Sequence, residues 1–284
     1  MTESHTLAVE ALTLAYGDRV VVEAIDLAVP PGRITVIVGA NACGKSTLLR
    51  AMARLLAPRS GRVVLDGKDL HRLPTKEVAR TLGLLPQSPL APEGIAVADL
   101  VARGRHPHHG FLTRWTAEDE AAVEEALRLT DTAALADRSV DELSGGQRQR
   151  TWIAMALAQR TDVLLLDEPT TFLDIAHQVD VLDLLTDLNR RSGTTVVMVL
   201  HDLHLAARYA DHLVAVADGR VHAAGSPEDV LTVDTVRRVF GLESRVIPDP
   251  VSGRPMVLPL GRHHVDAGTA ASSRTGEAGA EASA

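Results

Sequence analysis

Apolar positions alternate with polar ones at the start of the chain. Leu7, Val9, Leu12 and Leu14, then Val20, Val22, Ile25 and Leu27, flank the turn Tyr16-Gly17-Asp18, a pattern that predicts two paired strands. Residues 34–38 (Ile-Thr-Val-Ile-Val) form a short buried-strand pattern that breaks at Gly39. Past the following loop, Leu48, Leu49, Met52 and Leu55 recur at helical spacing, so the order is strand, glycine loop, helix. Residues 61–67 predict a strand closed by an Asp-Gly turn, and residues 82–87 a short strand ending in a polar residue before Pro89.

From about residue 88 to 160 the pattern is mostly helical. Its clearest segments are 117–129 and 147–158, with a proline- and histidine-bearing loop between Gly104 and Gly110. From residue 162 apolar runs alternate with helices: strands at 163–166 and 196–200, helices at 179–188 and 203–209. This is α/β alternation around a parallel sheet. Weaker strands at 213–216 and 220–223, a short helix at 234–240 and a proline-rich segment at 246–260 follow. The expected organisation is one domain over residues 1–260 with a helical subdomain at about 88–160. Residues 261–284 hold few side chains large enough to pack, and this tail is expected to be disordered.

With 284 residues, 45% of them hydrophobic, the chain can bury the core of one large domain with a subdomain. The formal charge of -8 speaks against nucleic acid held by a general basic field. The longest apolar runs are far below the ~18 residues needed to cross a bilayer. The start Met1-Thr2-Glu3-Ser4-His5 has neither a cationic region nor an apolar one, so no secretory signal is expected and the expected location is cytoplasmic. Cys43, the single cysteine, excludes an internal disulfide and suits a reducing compartment.

Chemistry enters at the glycine loop. The spacing Gly39-x-x-x-x-Gly44-Lys45-Ser46 fits a P-loop, in which backbone N–H groups and a helix N-terminus surround phosphate oxygens. Lys45 would neutralise the outer phosphates and the Ser46 hydroxyl would bind Mg²⁺. Two further apolar runs end in polar residues at the side of the sheet where α/β ligands bind, one at Asp167 and one at His201. Asp167 can hold Mg²⁺ through water and Glu168 can reach an attacking water, while His201 would hydrogen-bond the γ-phosphate.

A second informative stretch is Leu143-Ser144-Gly145-Gly146-Gln147. Ser144 and Gln147 have capping-box spacing, but each glycine in a first helical turn costs up to about 1 kcal/mol against alanine, so capping alone does not explain the pair. Close approach of a ligand to bare backbone does, and a serine hydroxyl, exposed N–H groups and a helix dipole make a second phosphate site. Two such sites in different subdomains meet one γ-phosphate most simply when two chains face each other head to tail.

On these motifs the chain resembles the nucleotide-binding subunit of an ATP-binding cassette (ABC) transporter, over residues 7 to about 260. The resemblance implies a P-loop NTPase fold of the α/β class, with a helical subdomain and an antiparallel β subdomain, that uses ATP and Mg²⁺. It makes Tyr16 the adenine-stacking aromatic. Gly39, Ala40, Asn41, Ala42, Cys43, Gly44, Lys45, Ser46 and Thr47 become the Walker A loop, and Gln87 the glutamine that meets Mg²⁺ and senses the transmembrane partner. Ser144, Gly145, Gly146 and Gln147 become the signature core, Asp167 the Walker B aspartate, Glu168 the catalytic glutamate, Asp174 the D-loop residue and His201 the switch histidine. The family's usual Gly-Pro-Asn-Gly opening is here Gly39-Ala40-Asn41-Ala42, and Ala42 limits backbone freedom there.

The loop Gly104-Arg105-His106-Pro107-His108-His109-Gly110 resembles the G-R-x-P-H segment of importers for ferric siderophores, with haem and cobalamin importers as relatives. Its histidines also allow a metal-site reading, but neither a cysteine nor a carboxylate joins them in the loop and Pro107 stiffens it. The implied protein is an ATPase on the cytoplasmic side of the membrane, working with a second copy of itself, integral membrane permease subunits and, indirectly, a substrate-binding protein. The alternatives are a soluble ABC ATPase of the iron–sulfur assembly type, or an importer for haem, cobalamin or another metal chelate.

Overall fold

The computed structural model describes residues 5–110, 114–171 and 173–261, so residues 262–284 of the tail lie outside the described residues. The alternating N-terminal stretch folds as antiparallel strands β1 (Leu7–Tyr16) and β2 (Arg19–Val29), with Tyr16 and Arg19 as partners beside the turn. The apolar run that follows is β3 (Ile34–Gly39), buried throughout, and the glycine loop delivers the chain into α1 (Lys45–Met52). Strands β4 (Ser60–Leu65) and β5 (Lys68–Asp69) extend the N-terminal pair into an antiparallel sheet of order β2-β1-β4-β5. Helix α2 (Thr75–Thr81) leads into β6 (Leu82–Leu85).

Next come α3 (Val97–Ala102), α4 (Ala117–Leu129) and α5 (Gly145–Ala158). The chain then returns to β7 (Val163–Asp167), α6 (Ile175–Ser192), β8 (Thr195–Val199), α7 (Leu203–Tyr209), β9 (His212–Ala217) and β10 (Arg220–Gly225). After α8 (Pro227–Val230) and α9 (Val233–Phe240), the proline-rich segment closes as the hairpin β11 (Ser244–Pro248) and β12 (Pro255–Pro259).

Among the described residues the central sheet has the order β10-β9-β3-β8-β7-β6, parallel except for β10. Strand β8 lies between β3 and β7, which sets the ends at Gly39, His201 and Asp167 side by side. Side chains alternate across the sheet and feed two cores. Val36, Val38, Leu164, Leu166, Val196 and Met198 pack with the helices on one face. Ile37, Val163, Leu165, Val197 and Val199 pack with α1 and the N-terminal sheet on the other.

The segment expected as a loop between Gly104 and Gly110 is mostly a 3₁₀ run at Arg103–His108. The cause is Arg105, only 3% exposed, whose Nε donates to Asp119 Oδ1 at 2.9 Å and whose Nη1 donates to the Ala158 carbonyl at 3.0 Å. One side chain thereby ties the run to α4 and α5. The histidines are used separately: His108 Nε2 bonds the Gln159 carbonyl at 2.8 Å, while the His109 ring stacks on Trp115 at 5.6 Å.

The Thr116 hydroxyl, followed by the Arg105 guanidinium, holds the Asp119 carboxyl well below its ordinary value. That stabilisation is complete above the unfolded-state pKa of about 3.9 and is lost as pH falls through the lowered folded value. Arg105→Ala removes the guanidinium from this buried carboxylate, leaving it the Thr116 hydrogen bonds, and is expected to cost about 3 kcal/mol in urea unfolding at pH 7, with a smaller difference between mutant and parent at pH 3. A change below about 1 kcal/mol at pH 7 would contradict the anchoring role.

Candidate active site

The glycine loop is shaped by crowding. A Cβ on Gly39 would lie 2.2 Å from the Val216 carbonyl oxygen of β9, and one on Gly44, at φ +106°, would lie 2.9 Å from Val22 Cγ2. Ala42 occupies the left-handed region at φ +61°, at a cost of about 1–2 kcal/mol for a residue with a Cβ. The loop therefore adopts a glycine-like bend although the sequence supplies alanine. Helix α1 starts after Gly44 with no side-chain cap, so its first-turn N–H groups have no side-chain acceptor there. The buried Lys45 folds back, its Nζ donating to the carbonyls of Gly39 and Ala40 at 2.9 Å each. An ammonium held only by carbonyls beside a helix N-terminus suits a polyanion.

The Ser46 hydroxyl donates to Asp167 Oδ1 at 2.8 Å. Burial pushes the Asp167 carboxyl above its ordinary value and the Glu168 charge adds to the rise, with the Ser46 hydrogen bond opposing both. This incompletely compensated carboxylate fits a divalent cation.

Glu168 follows β7 at φ +56°, a strained conformation for a residue with a Cβ. Its Oε2 accepts from Gln87 Nε2 at 2.7 Å and from Thr171 Oγ1 at 3.1 Å, and its Oε1 lies 2.5 Å from His201 Nε2. The backbone bend is held by Thr171 N–H on the Glu168 carbonyl and by the Gln149 side chain of α5, which donates to the Pro169 carbonyl at 2.9 Å. A carboxylate fixed by three side chains at the end of a buried strand can be aimed at a water.

The structure brings Tyr16, Asn41, Ala42, Gly44, Lys45, Ser46, Thr47, Gln87, Glu168 and His201 to one open cleft of about 570 Å³. Asp167 lies behind Ser46, and Tyr16 stands half-exposed at the rim. Ala40 and Cys43 line an adjoining cavity behind the loop tip, and Cys43 points its Sγ toward Gly39. Burial raises the Cys43 thiol above its ordinary value, the nearby Lys45 charge opposing it.

Ser144, Gly146, Gln147 and Asp174 do not join the cleft and instead surround a separate cavity of about 330 Å³. Ser144 and Gln147 form a reciprocal capping box on α5, with Gly145 as its first helical residue. A Cβ on Gly146 would meet only Leu173 Cδ2, at the ordinary distance of 3.5 Å, so no described part of this chain requires a glycine there. Asp174 caps α6, and the hydrogen bonds from the His177 backbone and ring lower its carboxyl below the ordinary value. Sequence reasoning missed Thr171 and Gln149, which hold Glu168 and its bend; their one visible signal is proximity to the two motifs.

A model of the ABC transporter family matches residues 22–171. The chain is 55% identical over 256 residues to the "Probable siderophore transport system ATP-binding protein YusV" of Bacillus subtilis (strain 168), covering 90% of this chain and 93% of that protein. It is 53% identical over 263 residues to the ferric enterobactin transport ATP-binding protein FepC of Escherichia coli (strain K12), covering 92% and 97%. Among solved structures it is similar to a dimeric ATP-binding cassette in a post-hydrolysis state bound to ADP and phosphate, with a TM-score of 0.69, 27% identity and coverage of 78% of this chain and 98% of that one.

Proposed function

The chain belongs to the ABC transporter family, and from that premise we propose that it is the ATP-hydrolysing subunit that energises import of ferric siderophores. The observation that carries the ATPase reading is the convergence in one cleft of Lys45, the Ser46–Asp167 pair and a Glu168 held by Gln87 and His201. Similarity to siderophore and ferric enterobactin transport subunits over nine-tenths of the chain supports the choice of cargo.

In this reading Tyr16 stacks on the base, and the backbone of residues 39–47 and Lys45 hold the phosphates. Ser46, Asp167 and Gln87 would hold Mg²⁺, which when bound would neutralise negative charge on the phosphates. Glu168 takes the proton of the attacking water, and His201 orients that carboxylate and the γ-phosphate.

Ser144, Gly145, Gly146 and Gln147, with Asp174, act on the nucleotide of a second copy. The separate cavity and the sterically unexplained Gly146 support that arrangement. No helix among the described residues is long and apolar enough to cross a membrane. In this reading the subunit works peripherally, on the cytoplasmic side, through integral membrane permeases fed by a substrate-binding protein, as its similarity to transport ATP-binding subunits supports.

Depleting the protein in its native cell is expected to abolish uptake of radiolabelled iron presented as a ferric siderophore, and the tagged chain is expected to co-purify with polytopic permeases. Normal iron uptake with permeases in the pull-down would leave the transporter class standing and remove the cargo. A pull-down returning only soluble scaffold proteins would replace the importer reading with iron–sulfur assembly.

A further inference from the structure

Arg19 has no part in the motifs described above, yet it borders the cleft. It opens β2 as the register partner of Tyr16, one turn away across Gly17-Asp18. It lines both the 570 Å³ cleft and the adjoining cavity of about 290 Å³ behind Asn41 and Ala42. The residue is exposed, and among the described residues its guanidinium makes no hydrogen bond or ion pair.

Nearby arginines differ: Arg238 across the adjoining cavity pairs with Asp234, and Arg220 pairs with Glu23. An unpartnered guanidinium beside an anion cleft has five donors in a planar fork that matches phosphate oxygens.

Position along the cleft decides which phosphate. Lys45 and the start of α1 mark the end for the outer phosphates, and Tyr16 marks the base end. As the partner of Tyr16, Arg19 belongs to the base end, where the ribose and α-phosphate of the same nucleotide come. We propose that Arg19 is a nucleotide-binding residue whose guanidinium holds the α-phosphate and ribose of the nucleotide that Lys45 holds by its outer phosphates. This inference rests on the nucleotide reading of the cleft.

The two cations should therefore discriminate among nucleotides differently. In competition against a fluorescent ATP analogue on the full chain, Arg19→Ala is expected to weaken ATP, ADP and AMP by a similar factor of about 5–20, the range of one charge-assisted contact partly screened by solvent. Lys45→Ala is expected to cost most for ATP, less for ADP and least for AMP. Arg19→Lys should recover part of the loss and Arg19→Gln none. Because Arg19 is exposed, the melting temperature without nucleotide should be unchanged in all three variants, which separates lost contact from a damaged hairpin.

Unchanged affinities in Arg19→Ala overturn the proposal. So does a loss confined to ATP, which would place the guanidinium at the outer phosphates, and so does a lowered melting temperature accompanied by no recovery in Arg19→Lys. If Lys45→Ala and Tyr16→Ala also leave ATP binding unchanged, the nucleotide reading of the cleft is what fails.

Discussion

Glu168→Gln is expected to cut ATP hydrolysis by about 10²–10⁴-fold while leaving ATP affinity within about threefold of the parent. The amide fills the same volume and its oxygen can still accept from Gln87 or Thr171, so the strained backbone at φ +56° keeps most of its side-chain support. What disappears is basicity, because an amide takes no proton from water. The loss corresponds to about 3–5 kcal/mol of transition-state stabilisation. With hydrolysis blocked, the ATP-bound form should accumulate as a dimer, read by light scattering with Mg²⁺ and ATP. Phosphate release at the wild-type rate would reject Glu168 as the base.

How much of this was legible beforehand depended on how local each signal was. The ends at Gly39, Asp167 and His201 could be read because each closes a fully buried strand whose apolar run stops abruptly. The helices Ala117–Leu129 and Gly145–Ala158 were visible because several turns of 3.6-residue periodicity accumulate in them. Helices α2 and α3, with seven and six residues, are too short for a period to emerge. The C-terminal hairpin was hidden by Pro248 and Pro255, which pair with each other on strands that, among the described residues, pair with no further strand, so a missing N–H is tolerated.

Long-range pairings left no local trace. Strand β9 lies beside β3 although nearly 180 residues separate their paired positions, from Thr35 with His212 to Gly39 with Val216. Arg105 meets Asp119 across a turn run that composition alone describes as a polar loop. Nor can sequence show that a glutamate and an alanine occupy left-handed backbone. At Ala42 the sequence argued only that freedom was restricted, whereas the loop bends there regardless and carries the strain.

The proposed two-chain site has the largest consequence for how the protein works, since in that arrangement neither cavity would be sufficient alone. Mixing Ser144→Arg chains with Lys45→Ala chains is expected to restore activity that neither parent has. In a head-to-tail dimer of unlike chains, the intact Lys45 of the first mutant faces the intact Ser144 of the second, and the other site holds both lesions. With random pairing and independent sites, the mixture should recover on the order of a quarter of the wild-type rate, because half of the dimers are mixed and each keeps one of two sites. Each parent alone should fall by a factor of at least about 10², since one removes the charge on the outer phosphates and the other fills a site that only bare backbone admits. If the two sites fire only together, the mixed dimer should still retain one ATP per two chains in an equilibrium binding assay, whereas neither parent retains any as a dimer. Heterodimers recovered through two different tags, with neither hydrolysis nor retained ATP above the parents, would show that Ser144 does not serve the opposite nucleotide. Gly146 would then need an explanation from within its own chain, where the described residues supply only the 3.5 Å contact with Leu173.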